Sequence, residues 1–236
     1  MFNLLRISLI IVLVLNYEIL AQQTLKGRFG FGFGYQSGIE FADFSEINKT
    51  FLKQDEKGLQ DNLIIKGFTA YFYFLFLPDT RITFNFLSGD KDIQASSTRF
   101  LNYEKSYWSF GLEYTFSIGH LNISPGFSIG KTTDFIELIT FDGNINYLRI
   151  IDDYNSKIFK SNSINFSNNS YHFIPVINLE YSLSRFSALC LKYSYQIRLN
   201  NDWKFLRKFA VENFPENLVS NNHSLSLGFL IGFMSK

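Results

Sequence analysis

The segment from Trp108 to Ile118 alternates strictly between large apolar residues and small or polar ones. In a helix the large side chains would spread around the whole cylinder, whereas in a β-strand they all lie on one face. The same period of two recurs along the chain and predicts eight strands, of which only the second has an ambiguous phase. The predicted segments are 29–36, 63–77, 81–86, 108–118, 121–130, 171–183, 189–199 and 224–233.

Short and long connections alternate between these strands. Tight turns are predicted at 78–80, 119–120 and 184–186, and the other connections are long. Strict alternation places every long loop at one end of an up-and-down sheet, which is typical of an outer-membrane barrel. The long connections are 41–62, 89–102, 132–170 and 200–222.

The composition of the two strand faces indicates which of them meets lipid. Charged residues make up 18% of the chain and aromatic residues another 18%, against about 25% charged in average soluble proteins. The small, polar face carries too little charge for a surface in water, but it fits the narrow interior of an eight-stranded barrel. The large residues are therefore expected to face lipid. A soluble lipocalin-like carrier is the alternative, and it would require the two faces to be exchanged.

Tyrosines near the strand ends are candidates for the aromatic girdles at the membrane surfaces. These are Tyr35, Tyr73, Tyr114, Tyr171 and Tyr193.

Residues 1–21 have the pattern of a signal peptide. Arg6 precedes an apolar run from Ile7 to Leu15, and Ala21 offers a small residue for cleavage. The run fits the ~7–15 residues of a signal-peptide core and is far shorter than the ~20 needed for a spanning helix. We therefore expect export and a mature barrel over residues 22–236; an uncleaved amino-terminal anchor is the alternative.

With these strands, faces and loops, residues 22–236 resemble the small eight-stranded outer-membrane β-barrel proteins of Gram-negative bacteria. The resemblance is architectural and carries no family-specific motif. It implies a multi-pass barrel inserted by the barrel-assembly machinery, in contact with outer-membrane lipid and lipopolysaccharide. Members of that group serve as envelope anchors, adhesion or resistance factors, narrow channels, or occasionally lipid-modifying enzymes.

Five charged residues fall on the polar, inward face. Because an unpaired charge in a narrow lumen is unfavourable, we expect them to pair across strands and plug the barrel. The alternative is a narrow gated channel in which these charges exchange partners. The five residues are Arg81, Glu113, Glu180, Lys192 and Arg198.

Basic and aromatic residues are interleaved in the last long loop. Trp203, Lys204, Arg207 and Lys208 are candidates for contact with the lipid surface and its phosphates. Two conformations fit this segment, namely a short amphipathic helix lying on the membrane and a structured hairpin extension.

Several function classes find little support in the sequence. The net charge of +1 gives no excess of basic residues for binding nucleic acid, and the single cysteine, Cys190, excludes a disulfide framework. No cofactor or metal site is expected. His172 and His223 lie near Ser170 and the acidic pair at 152–153, which leaves a lipid-acting enzyme as a third hypothesis.

The leading hypothesis is a monomeric, non-enzymatic envelope protein with a structural or adhesive role. Its long loops would meet an extracellular ligand or surface, and segment 132–170 would be the most variable of them. A narrow solute or ion channel is the second hypothesis.

Overall fold

The computed structural model describes residues 30–73, 77–141, 161–211, 214–215, 218–219 and 221–234. The predicted signal peptide over 1–21 lies outside them. Among the described residues, no helix has the length and hydropathy needed to cross a bilayer. The elements are β1 (Gly30–Phe41), α1 (Ser45–Phe51), β2 (Leu63–Tyr73), β3 (Thr80–Ser96), β4 (Arg99–Tyr114), β5 (Phe116–Ile118), β6 (Leu121–Phe141), β7 (Ser161–Ser182), β8 (Ser187–Arg198), β9 (Trp203–Phe205), β10 (Phe209–Ala210) and β11 (Asn222–Met234).

Eight strands of the described chain close into an antiparallel barrel in the order β1, β2, β3, β4, β6, β7, β8, β11. The first and last of them complete the wall, because β1 pairs with β11 from Gly30 opposite Met234 to Phe41 opposite His223. The short β5 continues the edge of β4 along β6. Consecutive wall strands are neighbours throughout, so the predicted up-and-down barrel is confirmed.

The two faces of the wall have the predicted orientation through the middle of the barrel. Trp108 and Phe110 point outward with 41% and 52% of their surface exposed, whereas Ser109 and Glu113 are buried in the lumen. The outward residues form a continuous apolar band around the barrel, and only lipid makes an apolar surface of this extent tolerable. Closure also pairs the backbone groups that hydrocarbon would otherwise leave without partners.

Tyr73 is an exception to the girdle prediction. It points into the lumen, is 2% exposed, and its hydroxyl lies 3.1 Å from that of Thr115. Tyr35, Tyr171 and Tyr193 do point outward. The prediction was wrong for Tyr73 because β2 carries aromatic residues on both faces, so its period does not show which face is apolar.

Strands extend into two of the predicted long loops. Only residues 97–98 separate β3 from β4, where a loop over 89–102 was expected. Likewise β6 extends to Phe141 and β7 begins at Ser161, so both enter the predicted loop 132–170, whose remainder lies outside the described residues. The strands therefore project well beyond the apolar band at the long-loop end.

The polarity of the faces inverts in these projecting parts. Leu101, Tyr103 and Ile136 point inward and are buried, while Asn102 and Glu104 point outward. The inversion has a physical cause, since this part of the wall has water outside it and must bury its apolar residues inside.

The apolar inward residues meet the folded loops in a hydrophobic core that we call the mouth cluster. Loop 42–62 contributes α1, and loop 199–221 contributes the β9–β10 hairpin. Lys91 Nζ donates to the carbonyls of Gln60 and Asn62 at 2.9 and 2.6 Å, which ties the first loop to β3. The buried members of the mouth cluster are Ala42, Phe44, Ile47, Leu59, Leu63, Ile65, Leu87, Leu101, Tyr103, Tyr107, Ile136, Leu138, Trp203, Leu218 and Val219.

Candidate functional site

Four buried charges cross the lumen toward its short-turn end, and we call them the lower tier. Arg81 Nη2 and Nε donate to Glu113 Oε2 at 2.5 and 3.0 Å, and Arg81 Nη1 lies 2.6 Å from Glu180 Oε1. Lys192 Nζ lies 3.8 Å from the other Glu113 oxygen. The four residues come from β3, β4, β7 and β8, so the ion pairs bridge strands across the lumen. Two cations and two anions leave the lower tier without net charge.

Aromatic and amide groups surround the lower tier. The Arg81 guanidinium lies 5.0 Å from the ring centre of Tyr71 and 5.9 Å from that of Tyr73, which is the geometry of a cation–π contact. Lys192 Nζ also donates to Asn85 Oδ1 at 2.9 Å. Cys190 packs beside them and its thiol donates to Asn178 Oδ1 at 3.2 Å. These side chains fill the space around the ion pairs.

A second set of buried charges, the upper tier, lies nearer the long-loop end. Lys105 Nζ donates to Glu40 Oε1 at 2.5 Å and to Gln196 Oε1 at 2.8 Å. Arg198 Nη1 donates to Asp134 Oδ2 at 2.8 Å. The upper tier also holds two cations and two anions. Glu40 on β1 and Lys105 on β4 stand three strands apart in the wall, so this tier too crosses the lumen.

The structure brings four of the five sequence-predicted lumen charges into the lower tier and places the fifth, Arg198, in the upper tier. Glu40, Lys105 and Asp134 were not predicted from the sequence. Each continues the inward phase of its strand, since Lys105 lies at even spacing from Ser109 and Asp134 from Ser128. They were missed because each predicted strand ended where the outward row reaches a small or polar residue, namely Ser37, Ser106 or Lys131.

The histidines of the enzyme hypothesis lie on opposite faces of the wall. His172 Nε2 lies 2.8 Å from Ser170 Oγ inside the lumen, where Arg198 Nη1 also donates to Ser170 at 3.0 Å. His223 points outward, with Nδ1 2.6 Å from the hydroxyl of Tyr193. The buried Ser170–His172 pair lies beneath the mouth cluster, and residues 152–153 lie outside the described chain. Among the described residues, no three His, Cys, Asp or Glu side chains could hold a metal together.

The segment from Trp203 to Ala210 is a β-hairpin, so the amphipathic-helix alternative is wrong. Trp203 is only 7% exposed and its ring centre lies 4.9 Å from that of Phe214 in the mouth cluster. This burial contradicts the predicted contact of Trp203 with lipid. Lys204 is half-buried, and Arg207 and Lys208 are exposed.

A salt bridge on the water side of the mouth cluster holds the first loop to the start of β4. Arg99 donates to Glu56 at 2.5 Å and to the carbonyl of Phe51 at 2.8 Å. Burial raises the pKa of Glu56, but hydrogen bonds from the Lys53 amide and Arg99 outweigh it, so this pKa lies below its ordinary value.

The chain has the fold of a closed, eight-stranded antiparallel barrel with an apolar outer band. No protein-family model matches it, and neither does any curated protein. Among solved structures, the attachment invasion locus protein Ail of Yersinia pestis is similar at 13% identity, covering 89% of this chain and 100% of Ail, with a TM-score of 0.46. Neisserial surface protein A is similar at 11% identity, 88% and 99% coverage, and a TM-score of 0.43. OprG of Pseudomonas aeruginosa is similar at 13% identity, 89% and 96% coverage, and a TM-score of 0.44.

Proposed function

We propose that this chain is a non-conducting outer-membrane barrel with a structural or adhesive role, its long-loop end facing outward from the cell. The observation that carries the proposal is the double crossing of the lumen by buried, charge-balanced ion pairs beneath an apolar mouth. The function then lies with the projecting surface rather than with passage through the barrel.

The ion pairs argue against conduction on energetic grounds. An ion passing through the lumen would have to displace a partner of Arg81 or Lys105, and leaving a buried charge unpaired costs about 3–5 kcal/mol. Neither tier has a net charge that would attract ions of one sign. An eight-stranded interior is also only wide enough to be filled by side chains.

The mouth cluster adds a second barrier. Apolar constrictions exclude water and thereby ions. The side chains of Ile47, Leu101, Ile136 and Leu218 are fully buried there, so the long-loop end offers folded loops and strand extensions as its accessible surface. A rigid platform above the membrane suits attachment to an extracellular ligand or surface.

A narrow gated channel is the second candidate, and one contact favours it. Glu113 has two cationic neighbours, Arg81 at 2.5 Å and Lys192 at 3.8 Å. A shift of Glu113 from one to the other would rearrange the lower tier without leaving its carboxylate unpaired.

Planar-bilayer conductance distinguishes the two candidates. We expect the mature chain, refolded in detergent and inserted into a bilayer in concentrated KCl, to show no steady openings. Glu137→Gln, which removes the same charge from the outer face of β6, is the matched control for Glu113→Gln. Steady openings of the unmodified chain that Glu113→Gln abolishes and Glu137→Gln preserves would establish the channel and refute the proposal.

A further inference from the structure

A polar groove lies on the outer face of the wall, beside the β9–β10 hairpin. Its volume is about 540 Å³, within the range of about 300–1,000 Å³ usual for small-molecule sites. Asp90 and Glu104 line one side, Lys204 and Arg207 line the other, and Phe135 and Ser167 lie between them. The rest of the lining is Ser88, Ser106, Thr133 and Asn169, together with Gly89 and Lys105 from the inward rows of β3 and β4.

The charges of this groove are arranged in an unusual way. Asp90 and Glu104 stand directly opposite each other on β3 and β4, a placement of like charges that destabilises a sheet. Among the described residues, no ion pair within 4.0 Å joins these carboxylates to Lys204 or Arg207, and Lys204 pairs with Asp202 at 3.0 Å instead. The groove therefore keeps an acidic and a basic side apart, with space between them for a ligand.

The hairpin that supplies the basic side is held in a strained conformation. Leu206 and Arg207 have φ angles of +50° and +61°, which residues other than glycine rarely adopt. The strained turn places the Arg207 guanidinium 4.9 Å from the ring centre of Phe135, on the outer face of β6. Strain of this kind persists where the surrounding structure imposes it, and it is concentrated at ligand sites.

The groove lies at the upper edge of the apolar band. On β3 and β4 the last large outward residues are Phe86 and Trp108, and the next outward residues are Ser88 and Ser106, which belong to the groove. A lipid whose acyl chains pack on the band would therefore present its headgroup at this height.

We infer that this groove binds the phosphorylated saccharide headgroup of a glycolipid in the outer leaflet. Lys204 and Arg207 supply donors for a phosphate, and Asp90 and Glu104 accept hydrogen bonds from sugar hydroxyls. Phe135 holds the Arg207 guanidinium against the outer face of β6. The inference rests on the proposed orientation, in which the long-loop end faces outward.

Native mass spectrometry of the refolded chain in micelles tests this assignment, with lipid A as the probe and phosphatidylglycerol as an anionic lipid without sugar. We expect Arg207→Ala to weaken lipid A binding about ten- to a hundredfold, since it removes a charge-assisted contact. Lys208→Ala is the matched control, because Lys208 carries the same charge in the same turn but does not line the groove. Heat-modifiable gel mobility verifies that each variant is folded.

Glu104→Gln is an independent test, because it should change the binding of the two lipids in opposite directions. It should weaken lipid A binding while strengthening phosphatidylglycerol binding, because it removes both an acceptor and a repelling charge. Asp92→Asn, on the same face outside the groove, should change neither. The inference would be overturned in favour of general charge attraction if Arg207→Ala and Lys208→Ala weakened lipid A binding equally. Equal binding of lipid A and phosphatidylglycerol by the unmodified chain would overturn it in the same way.

A soluble probe distinguishes the source of the ligand. Displacement of lipid A by millimolar glucosamine 1-phosphate would overturn the lipid assignment in favour of a free sugar phosphate; retention of lipid A supports it. Because the groove lies outside the wall, its variants should leave conductance unchanged. A conducting barrel would refute the proposed function without touching lipid A binding.

Discussion

Replacing Arg81 by methionine should destabilise the barrel more than any surface change. The Arg81 side chain is fully buried and is the shared partner of Glu113 and Glu180. Its removal leaves two buried carboxylates whose nearest cation, Lys192, lies 3.8 Å from Glu113. The lower tier then carries a net charge of −1, where it was neutral.

The expected magnitude follows from the burial of the pair. Removing one partner of a buried ion pair costs about 3–5 kcal/mol, because the other charge stays desolvated and uncompensated. Since 1.4 kcal/mol corresponds to tenfold, the unfolding equilibrium constant should rise between about a hundred- and a few-thousandfold. Adding Glu113→Gln restores neutrality, so the double variant should recover about 0.5–3 kcal/mol of the loss.

Urea unfolding in micelles, followed by heat-modifiable gel mobility, measures these differences. Arg185→Met is the matched control, because Arg185 lies in an exposed short turn and its loss should stay within about 0.5 kcal/mol. The reasoning would be refuted if Arg81→Met cost no more than Arg185→Met. A double variant less stable than Arg81→Met would equally contradict the charge-balance explanation.

Three further predictions concern the mouth cluster, the first loop and the pairing of β1 with β11. Trp203→Ala should destabilise the long-loop end by about 3–5 kcal/mol, seen as faster proteolysis there, whereas Phe209→Ala on the exposed side of the hairpin should not. The pKa of Glu56 is lowered from 4.5 in the folded state. Its contact with Arg99 therefore stabilises the first loop above pH 4.5, and this stabilisation is lost as the pH falls through the lowered pKa. Faster cleavage of the loop by an acid protease should show the loss, and Glu56→Gln should abolish the pH dependence. Gly34→Ala would place a Cβ 2.2 Å from the Phe229 carbonyl, so it should reduce the folded fraction on gels by opening the β1–β11 pairing.

The period of two was sufficient to predict the barrel, its strand order and the lipid-facing residues of its middle. The part of β4 from Trp108 to Tyr114 has only one environment on each side, and its alternation shows both directly. The tier charges Arg81, Glu113, Glu180 and Lys192 were found for the same reason, since each lies in phase with the small, polar inward residues of its strand.

The projecting parts could not be predicted in this way because the contrast between faces reverses at the edge of the band. Around Leu101 and Ile136 the apolar residues point inward. These segments therefore lack the outward apolar row from which strands were predicted, and they were predicted to be loops. Lys105 and Asp134 lie at this reversal and were lost with it. The contacts between α1, the hairpin and the strands join segments far apart in sequence, and no local period records them.

The accessibility of Cys190 tests the central claim that the lumen is sealed. It is the single cysteine of the chain, it lies beside the lower tier, and it is 2% exposed. Reaction with a charged, membrane-impermeant thiol reagent should be at least a hundredfold slower in the folded barrel than in the urea-unfolded chain, since about 3 kcal/mol of opening would be required. Lys208→Cys in a Cys190→Ala background should react rapidly in the folded state and serves as the positive control. Rapid modification of Cys190 in the folded barrel would mean a water-filled, open lumen and would contradict the account.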